Sequence, residues 1–96
     1  MTPRIDLLYF EGCPHVGEAR QRVSDALATL GAARAWTEWD VTHAHTPSKY
    51  RQYGSPTVLV DGRDVAGGAR GTGAGCVVGG APSLALIVAA LQGVRR

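Results

Sequence analysis

The first third of the chain changes from an apolar run to a helical pattern. Residues 5–10 (IDLLYF) are apolar except for Asp6, which predicts a central strand that is covered on both faces. In residues 14–30 apolar positions recur with the period of an amphipathic helix, and Gly31 follows as a stop signal. Pro14 suits the first helical position, where a backbone N–H is not needed. We therefore expect a strand followed by a long helix.

The middle of the chain predicts three further strands. Residues 35–41 alternate between apolar and polar side chains, as in a half-buried strand at a sheet edge. Residues 46–53 form a weakly apolar segment that predicts a brief helix. Residues 57–60 are apolar and rich in β-branched side chains, and Asp61-Gly62 is a strong hairpin signal. Residues 63–66 then return as the partner strand of the hairpin.

The last third combines a glycine-rich segment with an apolar helix. Residues 67–80 hold seven of the thirteen glycines and predict a flexible loop that carries the second thiol, Cys76. A final helix is expected from Pro82, and its surface is apolar nearly all round, so a weak homodimer through this helix is one alternative. The element order is β-α-β-(α)-β-β-α. It predicts an α/β sandwich with a four-stranded mixed sheet and the first strand at its centre.

Size and composition restrict the function classes. Ninety-six residues suit one domain spanning 1–96, and 45% hydrophobic with 19% charged residues is typical of a folded protein. The net charge is +2 and the basic residues are scattered, which argues against a nucleic-acid partner. The glycine-rich segment has neither a dinucleotide-binding nor a Walker motif, so we expect no cofactor. With no secretory signal and no apolar run of membrane-spanning length, we expect a cytoplasmic protein without a membrane partner.

Cys13 is the main candidate for chemistry. It lies between the first strand and the first helix, where unpaired backbone N–H groups and the helix dipole favour a negative charge. The thiolate is the nucleophilic and metal-binding form of cysteine, so this position predicts a reactive thiol. His15 lies two residues further on, and either lowers the pKa of the thiol when protonated or faces solvent.

Two short motifs make the chain resemble the thioredoxin-like superfamily. They are residues 12–15 (GCPH), after the first strand, and residues 54–57 (GSPT), before the third. The resemblance implies a single thioredoxin-like domain that performs thiol–disulfide exchange or thiol transfer with a protein or small-molecule thiol or disulfide. It also implies a cis-proline at Pro56 beside Cys13, which leaves the backbone of Ser55 free to pair with substrate. The substrate-binding residues expected on this basis are Pro14, His15, Ser55, Pro56 and Thr57.

The chain departs from the dithiol pattern of that superfamily because Val16 occupies the position of the second cysteine. Three alternatives remain open for Cys13. In the first, Cys13 works without a second cysteine and forms a mixed disulfide with a small thiol such as glutathione. In the second, Cys76 acts as a remote resolving thiol and is then also catalytic. In the third alternative both thiolates bind a soft metal such as Hg(II), Cu(I) or Zn(II). A thioredoxin-fold module without catalysis would need neither thiol.

Two weaker resemblances bear on these alternatives. Residues 61–68 (DGRDVAGG) resemble the hairpin and paired glycines that precede the glutathione-binding helix of glutaredoxins, although the aromatic residue next to the cysteine is missing. A cysteine before the first helix and a second in a late loop also resemble the thioredoxin-like core of organomercurial lyase. Val16 stands near where that enzyme has an acidic residue, so the resemblance implies mercury binding rather than carbon–mercury cleavage.

Overall fold

A computed structural model describes residues 4–33, 35–51, 53–66 and 82–94 of the chain. The described residues form an α/β structure with a four-stranded mixed sheet and two helices, which confirms the predicted α/β class and the mixed sheet. The elements in chain order are β1 (Ile5–Tyr9), α1 (Val16–Thr29), β2 (Thr37–Asp40), β3 (Thr57–Val60), β4 (Arg63–Asp64) and α2 (Leu84–Val94). The glycine-rich segment with Cys76 lies outside the described residues.

The strand order in the sheet is β2-β1-β3-β4. β1 runs parallel to β2 and antiparallel to β3, and β3 pairs with β4 as an antiparallel hairpin. The central position of β1 and the edge position of β2 are both as predicted. Leu8 of β1 lies beside Thr57, the first residue of β3, so the end of β1 and the beginning of β3 meet at the same edge of the sheet.

One face of the sheet packs against both helices. Successive strand residues point to opposite faces, so Ile5 and Leu7 of β1 share this face with Val58 and Val60 of β3. The helices cover it with small and branched apolar side chains, all of them buried: Ala19, Val23, Ala26 and Leu27 of α1, and Ile87 and Leu91 of α2. Among the residues that the structure describes, this layer is the larger of two apolar clusters.

The opposite face is covered by the connection between β2 and β3. Leu8 and Leu59 pack there against Val41 and Tyr50, and the Tyr50 ring lies 5.2 Å from the Trp39 ring, centroid to centroid. Asp6, the one charged residue of β1, also lies on this face and is 1% exposed. Its carboxylate accepts hydrogen bonds from Trp39 Nε1 at 2.9 Å and Arg4 Nε at 3.0 Å, which compensate for its burial.

The first helix begins later than predicted. Its first residue is Val16 with His15 as N-cap, so Pro14 lies two residues before the helix instead of opening it. The carbonyl of Cys13 accepts the Val16 N–H at 3.4 Å in a tight i→i+3 turn, and helical i→i+4 bonding starts only with Ala19 N–H and His15 O at 3.0 Å. This turn separates the cysteine from the helix.

Two other predicted elements differ in the structure. The predicted brief helix in residues 46–53 is a series of turns, because its hydrogen bonds run from the N–H groups of Tyr50, Arg51 and Tyr53 to carbonyls three residues earlier. The hairpin turn is confirmed, since Asp61 and Gly62 have φ values of 50° and 83°. Its second strand, β4, has only two residues.

The last helix buries Ile87 and Leu91 and leaves Leu84 and Leu86 39% and 42% exposed. Among the described residues, neither helix is both long enough and apolar enough to cross a membrane.

Candidate functional site

Cys13 is presented by a tight turn at the end of β1. Its N–H donates to the carbonyl of Phe10 at 3.3 Å, which closes a four-residue turn over Glu11 and Gly12. Gly12 has a φ of +87°, a conformation that glycine adopts without steric cost. The sequence Glu-Gly after an apolar strand therefore ends β1 and directs the next side chain, Cys13, back over the sheet edge.

The second part of the site is the turn that leads into β3. The Ser55–Pro56 peptide bond is cis, as predicted, and both residues are buried. The Thr57 hydroxyl donates to the Gly54 carbonyl at 2.7 Å and holds the turn from within. The Ser55 hydroxyl accepts the Phe10 N–H at 3.3 Å, so the Ser55 side chain ties this turn to the end of β1.

The two turns bring the sulfur of Cys13 next to the backbone of Ser55. The Cys13 Sγ donates to the Ser55 carbonyl oxygen at 3.7 Å, and Cys13 is 8% exposed. A carbonyl oxygen accepts an S–H but repels a thiolate, so this contact stabilises the resting thiol. The sulfur is thus held at the turn that contains the cis peptide bond to Pro56.

The predicted helix N-terminal position of Cys13 needs correction. Cys13 lies three residues before Val16, beyond the N-cap residue His15, and the i→i+3 turn comes between them. The effect of a helix dipole falls off within the first turn of the helix, so a position outside the helix benefits less. Activation of the thiol by the helix amides stays a prediction.

The other predicted site residues are Pro14, His15 and Cys76. Pro14 is exposed, and His15 is half-buried with no side-chain hydrogen bond to the helix start. Cys76 lies outside the described residues, so its pairing with Cys13 stays a prediction. Within the part of the chain that the structure describes, no group of three or more His, Cys, Asp or Glu side chains is arranged to hold a metal ion.

A shallow cavity of about 210 Å³ opens beside Cys13. The turn after β1 and the beginning of α1 form its walls, and the charged residues among them are Glu11 and Arg20. Arg20 lies four residues after Val16 and therefore on the same face of α1. The sequence analysis missed Arg20, and its spacing from Val16 is the local signal that could have pointed to it.

Glu38 of β2 fixes the position of Arg20. Two parallel bonds connect them, from Arg20 Nε to Glu38 Oε2 and from Arg20 Nη2 to Glu38 Oε1, each 3.0 Å long. The guanidinium carbon lies 5.4 Å from the centroid of the Tyr9 ring, within the range of a cation–π contact. A bidentate pair with an aromatic ring behind it holds an arginine more firmly than a single surface contact.

Burial, hydrogen bonds and nearby charges shift the pKa values of Glu38 and Tyr9. Burial acts to raise the pKa of Glu38, but hydrogen bonds from Arg20 and Trp36 and the Arg20 charge outweigh it, so the pKa is lowered from its ordinary 4.5. Burial raises the pKa of Tyr9 above 10.0, and the charges of Glu11, Asp40 and Glu38 add to this. The phenol beside the cavity is therefore neutral at pH 7, and Glu38 is ionised.

The lowered pKa of Glu38 predicts an acid-dependent contribution to stability. A carboxyl group whose pKa is lower in the folded state stabilises the fold above its unfolded pKa, and this contribution is lost as the pH falls through the folded value. Glu38→Gln should thus lower the free energy of unfolding at pH 7 by less than about 1 kcal/mol, since the pair is partly exposed. Below pH 4.5 the difference from wild type should shrink.

Urea unfolding at several pH values between 3 and 7 measures this difference. Glu11→Gln is the matched control, since Glu11 is exposed and its carboxylate forms no hydrogen bond or ion pair with a described residue. A difference for Glu38→Gln that stays constant over the whole pH range would contradict a role for its charge.

The described residues thus bring together Cys13, Ser55, Pro56 and Thr57, and add Arg20 and Glu38 at the adjoining cavity. The site is built by two turns at one edge of the sheet and by the first turns of α1. Comparison of the chain with protein-family models, with curated proteins and with solved structures found no match in any of the three.

Proposed function

We propose that the chain is a thioredoxin-like domain that performs thiol–disulfide exchange or thiol transfer through Cys13. The observation that carries this proposal is the position of Cys13 Sγ, 3.7 Å from the Ser55 carbonyl and at the wall of an open cavity. The strand order β2-β1-β3-β4, with one parallel pair and a terminal hairpin, supports the thioredoxin-like assignment. The substrate is a disulfide or thiol, carried by a small molecule or a protein.

The proposed reaction starts when the Cys13 thiol loses its proton to water or buffer. The thiolate attacks one sulfur of the substrate disulfide, so a Cys13–substrate disulfide forms and the original S–S bond breaks. The leaving sulfur takes the bonding electron pair as a thiolate and is protonated by solvent. A second thiol, from a low-molecular-weight thiol or from Cys76, then attacks the mixed disulfide and returns Cys13 to its reduced form.

Ser55 has a distinct part in each state of this cycle. In the resting protein its carbonyl oxygen accepts the S–H of Cys13. The sulfur of a mixed disulfide has no proton to donate, and since Ser55 is 0% exposed, the same oxygen accepts an N–H group of the substrate once the Cys13 side chain moves away from it. Its side chain meanwhile holds the Phe10 N–H and keeps the two turns in register. Ser55 is therefore a positioning residue for both the thiol and the substrate.

Exchange fits the cavity better than the alternative of soft-metal binding. Among the described residues that line the cavity, Cys13 alone supplies a sulfur ligand, whereas soft metals favour several thiolates. A disulfide substrate needs only one nucleophilic sulfur and room for its leaving half.

Reaction of the reduced protein with excess 2-hydroxyethyl disulfide tests the proposal. We expect one added hydroxyethylthio group on Cys13, located by peptide mass mapping. Because the site positions the thiol beside a substrate acceptor, the rate constant should exceed that of a small thiol of similar pKa by about tenfold or more. A rate no faster than that of 2-mercaptoethanol, or modification found on Cys76 alone, would contradict the proposal.

A further inference from the structure

We propose that the cavity beside Cys13 selects small disulfides that carry an ammonium and a carboxylate group next to the sulfur, of which L-cystine is the simplest. This inference rests on the proposed exchange reaction at Cys13 and names its substrate class. Three features of the cavity carry it: its size, the free edge of Arg20 and the unpaired carboxylate of Glu11.

The cavity beside Cys13 is small. Its volume of about 210 Å³ is below the range of roughly 300–1,000 Å³ that is typical of sites for drug-sized ligands. Two of its lining residues, Gly12 and Gly17, have no side chain, and a Cβ at either position would meet nothing within 4 Å. The space is therefore open at both walls and suits a group of the size of one amino acid.

Arg20 supplies the positive pole of the cavity. Glu38 bonds to Nε and Nη2 of the guanidinium, which leaves Nη1 outside this pair. The ring of Tyr9 and the carboxylate of Glu38 together fix the plane of the guanidinium. Arginine N–H groups held in this way bind a carboxylate at little further cost in side-chain entropy, because the side chain is already ordered.

Glu11 supplies the negative pole from the other wall. It is exposed in the turn between Phe10 and Cys13, and no described residue forms a hydrogen bond or ion pair with its carboxylate. It is close enough to Arg20 and Tyr9 for its charge to raise the pKa of both. An unpaired carboxylate at the rim favours an ammonium group and repels an anion.

The two poles together match an α-amino acid and not a singly charged molecule. Glu11 and Arg20 come from different elements, and Cys13 lies between them in the chain. A carboxylate alone would gain the contact with Arg20 but be repelled by Glu11 and Glu38, and an ammonium alone would gain the contact with Glu11 but be repelled by Arg20. In L-cystine both groups are attached to the carbon next to the CH₂ that carries the sulfur, so attack by Cys13 places them within the cavity.

The reaction of this substrate follows the proposed exchange step. The Cys13 thiolate attacks one sulfur of L-cystine, a mixed disulfide between Cys13 and cysteine forms, and the S–S bond of cystine breaks. The second cysteine leaves as a thiolate with the bonding electron pair and takes a proton from water. An external low-molecular-weight thiol reduces the mixed disulfide and releases the first cysteine.

Four disulfides test this selectivity: L-cystine with both charges, N,N′-diacetyl-L-cystine with the carboxylates only, L-cystine dimethyl ester with the ammonium groups only, and neutral 2-hydroxyethyl disulfide. Each rate constant with the protein is divided by that of the same disulfide with 2-mercaptoethanol, which removes differences in intrinsic reactivity. We expect the normalised value for L-cystine to exceed that of either blocked compound by about tenfold, as for loss of one charge-assisted contact.

Two variants assign the poles. Arg20→Gln should lower the rate with L-cystine about tenfold and raise the rate with the dimethyl ester, because the ester has no carboxylate to bind Arg20 and its ammonium group is repelled by it. Glu11→Gln should lower the rate with L-cystine about tenfold and raise the rate with the diacetyl compound, whose carboxylates Glu11 repels. Arg63→Gln and Asp25→Asn, which are not among the residues that line the cavity, are the matched controls. Circular dichroism of each variant establishes that the fold is retained.

The outcomes separate this inference from the proposed function. Equal normalised rate constants for all four disulfides would overturn the selectivity, while rapid reaction with 2-hydroxyethyl disulfide would still support exchange at Cys13. Selectivity for either blocked compound over L-cystine would overturn the amino-acid assignment and indicate that one pole alone is used. If no disulfide reacts faster than it does with 2-mercaptoethanol, the proposed function fails as well.

Discussion

Replacing Cys13 with serine is expected to reduce disulfide exchange to no more than the rate of an ordinary thiol such as 2-mercaptoethanol, because Cys76 is then the one cysteine left in the sequence. The serine hydroxyl remains protonated at neutral pH, whereas a thiol supplies a fraction of thiolate, which is the attacking species. Serine can still donate a hydrogen bond to the Ser55 carbonyl, as the Cys13 thiol does, so the two turns should keep their arrangement. The measurement is the release of 2-mercaptoethanol from 2-hydroxyethyl disulfide, together with the unfolding temperature of the variant.

Cys76→Ser is the matched control for this loss. With Cys13 intact, the first exchange step should continue at the wild-type rate. If Cys76 is the resolving thiol, the mixed disulfide on Cys13 should accumulate in this variant, and if an external thiol resolves it, turnover should be unchanged. Full exchange activity in Cys13→Ser, with the fold retained, would contradict the assignment of Cys13 as the nucleophile.

The elements that sequence analysis predicted correctly depend on local signals. The apolar run of β1 predicts a central strand, and the structure buries Leu7 and Leu8 on opposite faces. Asp61-Gly62 predicts a turn with two left-handed residues, which is a property of that dipeptide alone. The expectation of a cis bond before Pro56 came from the resemblance and not from a local propensity.

The elements that were predicted wrongly depend on competing hydrogen bonds or on distant contacts. The helix begins at Val16 because the Cys13 carbonyl is used in a tight turn, and the helical period cannot distinguish this from a start at Pro14. The segment around Tyr50 forms turns because the Tyr50 ring is buried against Trp39, a contact between residues that the sequence does not show as neighbours.

The contact between Arg20 and Glu38 in the candidate site likewise could not be predicted from local signals in the sequence. They lie eighteen positions apart in the chain and on different elements. Their contact requires that β2 pair with β1 so that Glu38 lies beside Leu7, on the face that α1 covers. The sequence identified the thiol and the proline turn from their motifs, but the charges that line the cavity follow from tertiary structure alone.

The site also depends on the sheet beneath it. The turn with Cys13 and the turn with Ser55 continue directly from β1 and β3, whose register places Leu7 beside Val58. Any slip of this register by one residue would turn the apolar side chains of β1 to the other face. The apolar layer around Leu7 therefore determines both the stability of the fold and the distance between Cys13 and Ser55.

Leu7→Ala is expected to lower the free energy of unfolding by about 2–5 kcal/mol, because it removes a buried side chain and leaves a cavity. Leu7 is 0% exposed and belongs to the apolar cluster between β1, α1 and α2. A chain of this size loses about 4–8 °C in Tm for each kcal/mol, so the Tm should fall by well over 10 °C for the upper part of that range. Urea and thermal unfolding followed by circular dichroism measure both quantities.

Leu86→Ala on α2 provides the matched control, since the same atoms are removed from a side chain that is 42% exposed. Alanine is the strongest helix former, so this substitution should change the free energy of unfolding by less than about 0.5 kcal/mol. Equal losses of stability for the two variants would contradict the assignment of Leu7 to the core and of Leu86 to the surface. A small loss for Leu7→Ala alone would mean that the helices do not pack on this face of β1.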